Sequence, residues 1–458
     1  MRSLAALVTV VCFSSQAWTS TDPIDRLERS SSTPFRVSGK GVISDSGHPM
    51  HPGHSRAIDV VVRLEIDPVA SLASIEVEWG EGETKGGRRY FVRQGRVFQV
   101  DDKSVEIAPE KLLDVSAAAV AALDPVLVAS ALRENRQNVR RDRESAYLFA
   151  ANDVLWTVLT DKKTARIVSL TRREFHEVAG DGEEAIRFER SPSRVTVTKS
   201  GRETARLEFG PPEPLTAVAV PAGDERRERG HTLSPGEITF EEIAPHLLTI
   251  DLASLNTRVT VAEFADHVMV IEGAYDARIG DRLVQAILDR MGKPIRYHAF
   301  SHLHGQYIGS TRSFVAAGAT ILVPPTTAPM IEELAAAPHA LQPDALSASP
   351  RKPTIATVKT ERRLEAAMNA VQIFNVVSEH TDEYFIFWFP GPKILLTGDL
   401  MFYRPEKPLS GRSKRLCRTV AELGLAPDRY VATWPLDGYG TKNIVTGDEM
   451  RAACEAAP

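Results

Sequence analysis

Residues 301–307 read Ser-His-Leu-His-Gly-Gln-Tyr, and no other stretch of the chain says as much about its chemistry. Its two histidines, His302 and His304, follow a strand-like run, and a turn at a strand end can aim both imidazoles at one point. A third histidine, His380, and the aspartate of Leu-Thr-Gly-Asp399 each follow another apolar run. Imidazole and carboxylate groups are common protein ligands of zinc and iron. These four residues therefore predict a metal site.

The sequence around these residues alternates strand-like and helix-like patterns. Strands are predicted over 247–250, 268–273, 295–301 and 320–323, and helices over 281–291, 311–317 and 328–336. Strands and helices that alternate with short links indicate an α/β fold. The three histidines and Asp399 then lie at the ends of elements, where binding residues are usually found.

Residues 236 to about 439 resemble the metallo-β-lactamase superfamily. The order of motifs carries the resemblance: a strand ending at Glu272, the His302-x-His304 pair, the segment Gly309–Phe314, then His380-Thr-Asp and Leu-Thr-Gly-Asp399. The resemblance implies a four-layered αβ/βα sandwich, with the metal cleft at one edge of its two sheets.

Residue by residue, the resemblance covers one half of a two-metal site. His302, His304 and His380 match the ligands of the first metal, and Asp399 matches the carboxylate that bridges both metals. At the second metal's aspartate and histidine the chain has Gln306 and Tyr307, and no histidine follows His380. The superfamily's last histidine falls near residues 433–435, which read Thr-Trp-Pro. A mononuclear site is therefore predicted.

This resemblance implies a hydrolase with one zinc ion, acting on an ester, lactone or amide bond of a small molecule. Asp399 would be the fourth ligand or would orient water, and Tyr307 would stabilise developing negative charge. Persulfide dioxygenases of the same superfamily bind iron through the equivalents of His302, His380 and Asp399, so an iron oxygenase is the alternative. A third possibility is a metal-free binding protein.

Residues 34–220 are predicted to form a separate β-rich domain. Period-two alternation with β-branched residues indicates an antiparallel sheet, interrupted by one helix over about 116–134. A curved sheet with one packed helix resembles the half-barrel of periplasmic lipoprotein-carrier domains, which implies a possible apolar ligand. A charged linker with Pro and Gly, residues 221–235, precedes the second domain, residues 236–458.

The first twenty residues have the pattern of a secretory signal peptide, with Arg2 before a short apolar run. That run is too short for a permanent membrane anchor, so a periplasmic or secreted protein is predicted. Cys417 and Cys454 would remain after cleavage and are candidates for a disulfide in that compartment. A net charge of -5 gives no reason to expect a nucleic-acid partner.

Overall fold

A computed structural model of the chain describes residues 23–28, 33–45, 56–80, 86–93, 96–100, 105–107, 124–134, 136–143, 145–151, 154–176, 180–190, 193–199, 201–221, 225–226, 236–437 and 439–457. The predicted signal peptide and most of the predicted linker lie outside these residues.

Strands before residue 227 form one large sheet. Burial alternates along several of them, for example Ser193–Lys199, so that one face of these strands packs against the core and the other faces solvent. The strands are β1 (Phe35–Asp45), β2 (Arg56–Asp67), β3 (Leu72–Trp79), β4 (Gly86–Arg93), β5 (Arg96–Val100), β6 (Val105–Ile107), β7 (Val139–Arg143), β8 (Ala146–Ala151), β9 (Val154–Thr160), β10 (Ile167–His176), β11 (Gly180–Arg190), β12 (Ser193–Lys199), β13 (Arg202–Phe209), β14 (Glu213–Pro214) and β15 (Glu225–Arg226).

Most neighbours in this sheet are consecutive antiparallel strands. The order is β15-β6-β5-β4-β3-β2-β1-β13-β12-β11-β10-β9-β8-β7, with β14 paired to β1. The first half of the meander is therefore joined to the second through the β1–β13 pair.

Helix α1 (Pro125–Glu134) packs its apolar residues against this sheet. It begins where the Asp124 carboxylate accepts a hydrogen bond from the Val126 amide at 2.7 Å, and Pro125 occupies the first helical position. The helix was predicted over about 116–134, and residues 116–123 lie outside the described part. The lipoprotein-carrier-like half-barrel stays a prediction.

Two further sheets are built from the chain after residue 240. One has seven strands, in the order β16 (Glu241–Ala244), β17 (Leu247–Leu252), β18 (Thr257–Glu263), β19 (Val268–Ile271), β20 (Ile295–Ala299), β21 (Thr320–Val323) and β22 (Thr354–Thr357). The other has six, in the order β23 (Glu361–Ala366), β24 (Asn369–Val376), β25 (Tyr384–Phe389), β26 (Ile394–Leu396), β27 (Arg429–Val431) and β28 (Ile444–Thr446).

The helices of this part connect or follow the strands. They are α2 (Ala277–Met291), α3 (Gly305–Ile308), α4 (Thr311–Ala316), α5 (Ala328–Ala336), α6 (Ala345–Ala348), α7 (Gly411–Glu422) and α8 (Gly447–Glu455). Helix α2 starts earlier than the predicted residue 281, because the Asp276 carboxylate accepts the Ile279 amide at 2.8 Å and caps it.

Three apolar clusters hold this part together. Residues of both sheets form one cluster, with Met269 and Leu322 of the first sheet beside Ile373 and Phe387 of the second. Helices α2, α4 and α5 pack in a second cluster with the seven-stranded sheet, and α7 and α8 in a third with the six-stranded sheet. The α/β class predicted from the sequence is confirmed.

A short hydrogen-bonded contact connects the large sheet with the later part of the chain. The Asp181 amide of β11 donates to the Pro338 carbonyl at 2.7 Å, and the Asp181 carboxylate accepts the amides of Ala340 and Leu341 at 2.7 and 3.1 Å. Gly180 is necessary here, because a Cβ at this residue would lie 2.4 Å from the Pro338 carbonyl oxygen. Arg312 also binds this segment and donates to the Ala337 carbonyl at 3.0 Å.

Cys417 of α7 and Cys454 of α8 form a disulfide, with a sequence separation of 37 residues. A cross-link across a loop of this size restricts the unfolded chain.

Replacing both cysteines by serine is expected to lower the free energy of unfolding by about 2–4 kcal/mol. Thermal unfolding of the double variant beside the wild-type protein measures this. Reductant should destabilise the wild-type protein to the same extent and leave the variant unchanged. Equal melting temperatures for oxidised wild type and variant would contradict the expectation.

Candidate metal centre

Three of the four predicted metal ligands come together. Candidate ligand atoms of His302, His380 and Asp399 all lie within 4.8 Å of one another. Asp399 Oδ2 is 3.3 Å from His380 Nε2 and 3.9 Å from His302 Nε2. His302 follows β20 of the seven-stranded sheet, whereas the other two follow β24 and β26 of the six-stranded sheet. The cluster therefore forms where ends of the two sheets meet.

The orientation of His302 is set by the residue before it. Ser301 Oγ lies 3.0 Å from His302 Nδ1, so Nε2 is the nitrogen that faces Asp399. The Ser301 amide donates to a Glu272 carboxylate oxygen at 3.1 Å, and the Phe385 amide donates to the Ser301 carbonyl at 2.6 Å. Ser301 is thus tied to both sheets. A hydrogen bond to the second ring nitrogen is the usual way in which proteins orient a metal-binding histidine.

His380 is placed by a tight turn after β24. Ser378 Oγ accepts the amides of His380 and Thr381, both at 3.0 Å, and the Ser378 amide donates to the Thr381 carbonyl. The serine hydroxyl thus closes the turn. The His380 side chain remains about 20% exposed, more than the nearly buried His302, so it lines the open side of the cluster.

Asp399 is held by a buried tyrosine. The Tyr384 hydroxyl donates to Asp399 Oδ1 at 2.8 Å and accepts the Asp399 amide at 2.8 Å. The Tyr384 ring also stacks on His302, with centroids 4.8 Å apart. Burial raises the pKa of Tyr384 well above its ordinary value, so its hydroxyl stays protonated. Asp399 Oδ2 is thereby left to face the histidines.

Gly398 makes this arrangement possible. Its φ of 59° lies in the left-handed region, and a Cβ there would sit 2.1 Å from the Tyr384 hydroxyl oxygen. The glycine of Leu-Thr-Gly-Asp399 therefore admits the tyrosine that positions the carboxylate.

Asp399 is ionised although it is almost completely buried. Burial alone would raise the pKa of this carboxyl, but His302, His380 and Arg412 together outweigh it and hold the pKa well below its usual range. An ionised carboxylate with so low an affinity for protons is suited to ligate a cation or accept a hydrogen bond. It is a poor proton acceptor.

Glu272 directly follows β19 and contacts Ser301, the residue before His302. Besides the Ser301 amide, its carboxyl accepts a hydrogen bond from Thr433 Oγ1 at 3.5 Å. Burial raises the pKa of Glu272 to about 8, and the nearby charge of Asp399 also raises it. At neutral pH this group is therefore mostly an uncharged acid that supports Ser301.

His304 lies beside the cluster but outside its three-residue set. Its ring centroid is 5.8 Å from that of His302, and it directly precedes helix α3. Burial lowers the pKa of His304 to about 4, so the imidazole is neutral at pH 7. Its predicted role as a metal ligand stays a prediction.

Gln306 and Tyr307 fill the region where the second metal's ligands were expected. The Tyr275 hydroxyl donates to Gln306 Oε1 at 3.2 Å. Tyr307 is 0% exposed, and burial raises its pKa well above the ordinary value. The hydroxyl is therefore enclosed by protein. The predicted role of Tyr307 in stabilising negative charge stays a prediction.

Trp434, at the expected place of the superfamily's last histidine, belongs to an aromatic cluster with Phe402 and Tyr439. Its ring centroid lies 6.1 Å from that of Phe402 and 5.1 Å from that of Tyr439. The guanidinium groups of Arg404 and Arg412 lie 5.3 and 5.0 Å from the Phe402 ring centroid. Arg412 Nη1 is also 3.6 Å from Asp399 Oδ2, which places a permanent cation beside the cluster.

Sequence reasoning missed Ser301, Tyr384 and Arg412 as members of the site. Ser301 and Tyr384 stand next to predicted ligands, and their position before His302 and shortly after His380 was an available signal. Arg412 follows Asp399 on a separate helix, and its approach depends on the path of residues 400–410.

The donor set fits one transition metal ion. Two imidazole nitrogens and a carboxylate oxygen are ligands that zinc and iron both accept. The side chains of His302 and Asp399 have supporting hydrogen bonds with Ser301 and Tyr384, and Ser378 binds the backbone amide of His380.

Comparison with known proteins gives structural matches alone. No protein-family model and no curated protein matches the chain. A metallo-beta-lactamase from Pontibacter korlensis is 12% identical, with a TM-score of 0.36, and the match covers 48% of this chain and 98% of that one. DIM-1 metallo-beta-lactamase exposed to ceftazidime is 13% identical, with a TM-score of 0.36, covering 48% and 95%.

Both of these solved structures are metallo-beta-lactamases, the superfamily that the motifs of the sequence resemble. At this identity the likeness concerns the fold alone.

Replacing Tyr384 by Phe is expected to weaken metal binding about 10–100-fold, because Asp399 loses the hydrogen bond that orients it. Competition with a chromophoric zinc chelator measures the affinity. Tyr430→Phe is the matched control, since Tyr430 is packed in the α7–α8 cluster. An unchanged affinity in Tyr384→Phe would show that the tyrosine does not position the carboxylate.

Glu272 is expected to destabilise the protein as pH rises. Because its folded-state pKa of about 8 exceeds the ordinary 4.5, the folded protein binds the extra proton between these values. The stabilising contribution of Glu272 to the free energy of unfolding is fully present below pH 4.5 and is lost as pH rises toward 8. The slope is up to about 1.4 kcal/mol per pH unit.

Urea unfolding of wild type and Glu272→Gln between about pH 5 and pH 8 tests this slope. The glutamine variant lacks the titrating group, so wild type should lose stability relative to it as pH rises. Parallel stability curves would contradict the raised pKa.

Proposed function

We propose that this protein is a secreted hydrolase that uses a single metal ion, with zinc as the leading candidate, on an ester, lactone or amide bond of a small molecule. The observation that carries the proposal is the convergence of His302, His380 and Asp399 at the meeting point of the two sheets. His304, neutral and adjacent, is the candidate fourth donor. When bound in such a site, the ion lowers the pKa of a water molecule toward about 7 and polarises a carbonyl group.

The chain's own residues have defined tasks in this proposal. Ser301 and Tyr384 hold His302 and Asp399 in place through hydrogen bonds. Asp399 would serve as a metal ligand or orient the attacking water by accepting a hydrogen bond. Gln306, whose side chain is an amide, does not act as a base.

Secretion is supported by the disulfide between Cys417 and Cys454 and by the signal-like pattern of the first twenty residues. None of the helices among the described residues has the length and apolar character needed to cross a membrane. We further propose a four-layer arrangement for residues 236–458. For the N-terminal domain we propose a binding role, with an apolar ligand as the candidate.

A mononuclear iron oxygenase is the second candidate. The donor set itself favours it, because two histidines and one carboxylate come together while His304 stays outside. This combination is typical of non-haem iron oxygenases, which leave other coordination positions open for oxygen and substrate.

Elemental analysis of the untagged protein, purified without chelators, tests both candidates. We expect about one zinc ion per chain and hydrolysis of esters or lactones from a panel, both lost in His302→Ala/His380→Ala. His246→Asn is the control, because His246 pairs with Glu263 at the opposite end of β19 from Glu272.

The other outcomes are equally informative. Iron in place of zinc, with oxygen uptake that depends on a thiol substrate, would replace the hydrolase by the oxygenase. A wild-type protein that binds no metal after reconstitution would reject both and leave a binding protein.

A further inference from the structure

The carboxylate of Asp399 meets a permanent cation on the side away from Tyr384. Arg412 Nη1 lies 3.6 Å from Asp399 Oδ2, the same oxygen that faces His302 and His380. A guanidinium group keeps its charge at any physiological pH and presents five N–H donors. This oxygen therefore lies between the proposed metal ligands and a second positive charge.

The residues at the expected second-metal position carry no positive charge that could replace a second metal ion. Gln306 carries an uncharged amide, Tyr307 a phenol and Trp434 an indole ring, and none of these groups is cationic. A bridging carboxylate in the resembled superfamily adjoins two cations, whereas here the second cation near Asp399 is the guanidinium.

Arg412 is fixed in place by the loop that follows Asp399. Its guanidinium lies over the Phe402 ring, 5.0 Å from the centroid, and cation–π contacts of this kind are attractive. The Phe402 amide donates to Ser413 Oγ at 3.0 Å, and Ser413 Oγ donates to the Leu400 carbonyl at 3.0 Å. The start of α7 is thus bound to the segment that carries Asp399.

Trp434, at the expected position of the superfamily's last histidine, is linked to Arg412 through a shared neighbour. It packs against Phe402, the ring on which Arg412 rests, and Tyr439 closes the same cluster. The residue at the expected last-histidine position therefore supports the guanidinium. The Arg412 side chain remains about 24% exposed, so it is not sealed off from solvent.

We propose that Arg412 takes over the task of a second cation in the hydrolase proposed above and binds the substrate's carbonyl oxygen as that oxygen becomes negatively charged. This inference rests on the proposed function. It transfers to Arg412 the charge-stabilising role predicted for Tyr307, whose hydroxyl is fully buried.

The reaction balances without a proton from Arg412. Water oxygen forms a bond to the carbonyl carbon, and the π electron pair moves to the carbonyl oxygen, where the guanidinium donates hydrogen bonds. When that pair re-forms the carbonyl, the bond to the leaving oxygen or nitrogen breaks, and the proton lost by water ends on the leaving atom. One ester and one water give one acid and one alcohol. Donors placed in this way typically contribute about 10²–10³-fold to kcat.

Zinc affinity provides a test that needs no substrate. In Arg412→Gln a positive charge next to Asp399 is removed, so zinc should bind about tenfold more tightly than to wild type. Arg412→Lys restores the charge and should return the affinity to the wild-type value. Arg418→Gln, an exposed arginine of the same helix, is the matched control and should leave it unchanged. Circular dichroism and thermal unfolding establish that each variant is folded.

A purely structural role for Arg412 predicts the opposite sign, because a disturbed Asp399 would bind zinc more weakly. Weaker or unchanged zinc binding in Arg412→Gln would therefore overturn the inference while leaving the metal site intact. Absence of zinc binding in wild type would instead reject the proposed function and the inference with it.

Kinetics then tests the contact with substrate. On the best ester or lactone of the panel, Arg412→Gln should lower kcat about 10²–10³-fold with a much smaller change in KM, and Arg412→Lys should recover part of the loss. Arg418→Gln should match wild type. A loss confined to KM would show that Arg412 binds the ground state and would overturn the oxyanion role. A zinc shift without turnover of any substrate by wild type would reject the hydrolase and the oxyanion role with it, and would leave the placement of the Arg412 charge beside Asp399 intact.

Discussion

The buried charge of Asp399 is the constraint on which the site depends. An ionised carboxylate removed from water is stable only where opposite charges and hydrogen-bond donors surround it. Here Tyr384 donates to one oxygen, and the imidazoles and Arg412 face the other. Gly398 leaves room for the tyrosine. Both sheets and helix α7 must therefore be in place before this single side chain is satisfied.

The sequence predicted the parts of the site that depend on local patterns. Alternating strands and helices indicated the α/β class, and the placement of His302, His304, His380 and Asp399 after apolar runs indicated a shared metal, of which the structure groups His302, His380 and Asp399. Each of these residues follows its own strand, so their meeting required only the correct sheet arrangement. His304 shares the motif but is not one of the three grouped residues, and it directly precedes helix α3.

Residues that support the ligands from a distance could not be recognised in the same way. The pKa of Glu272 is raised by burial, and burial depends on how β19 packs against the rest of the fold. Arg412 reaches Asp399 because Ser413 binds the start of α7 to residues 400–402. Neither effect has a local sequence signature, since both arise from contacts between separate elements.

The contact between Asp181 and residues 338–341 limits how the chain can be divided. Three backbone groups of that segment use Asp181 as their hydrogen-bond partner, and Gly180 allows the two backbones to approach closely. A fragment that starts after the large sheet would expose these groups to water. The segment would keep its hydrogen bond with Arg312 but lose those with Asp181. The later part of the chain, expressed alone, would therefore differ from its form in the whole protein at this surface, and measurements on such a fragment would describe a loosened version of the molecule.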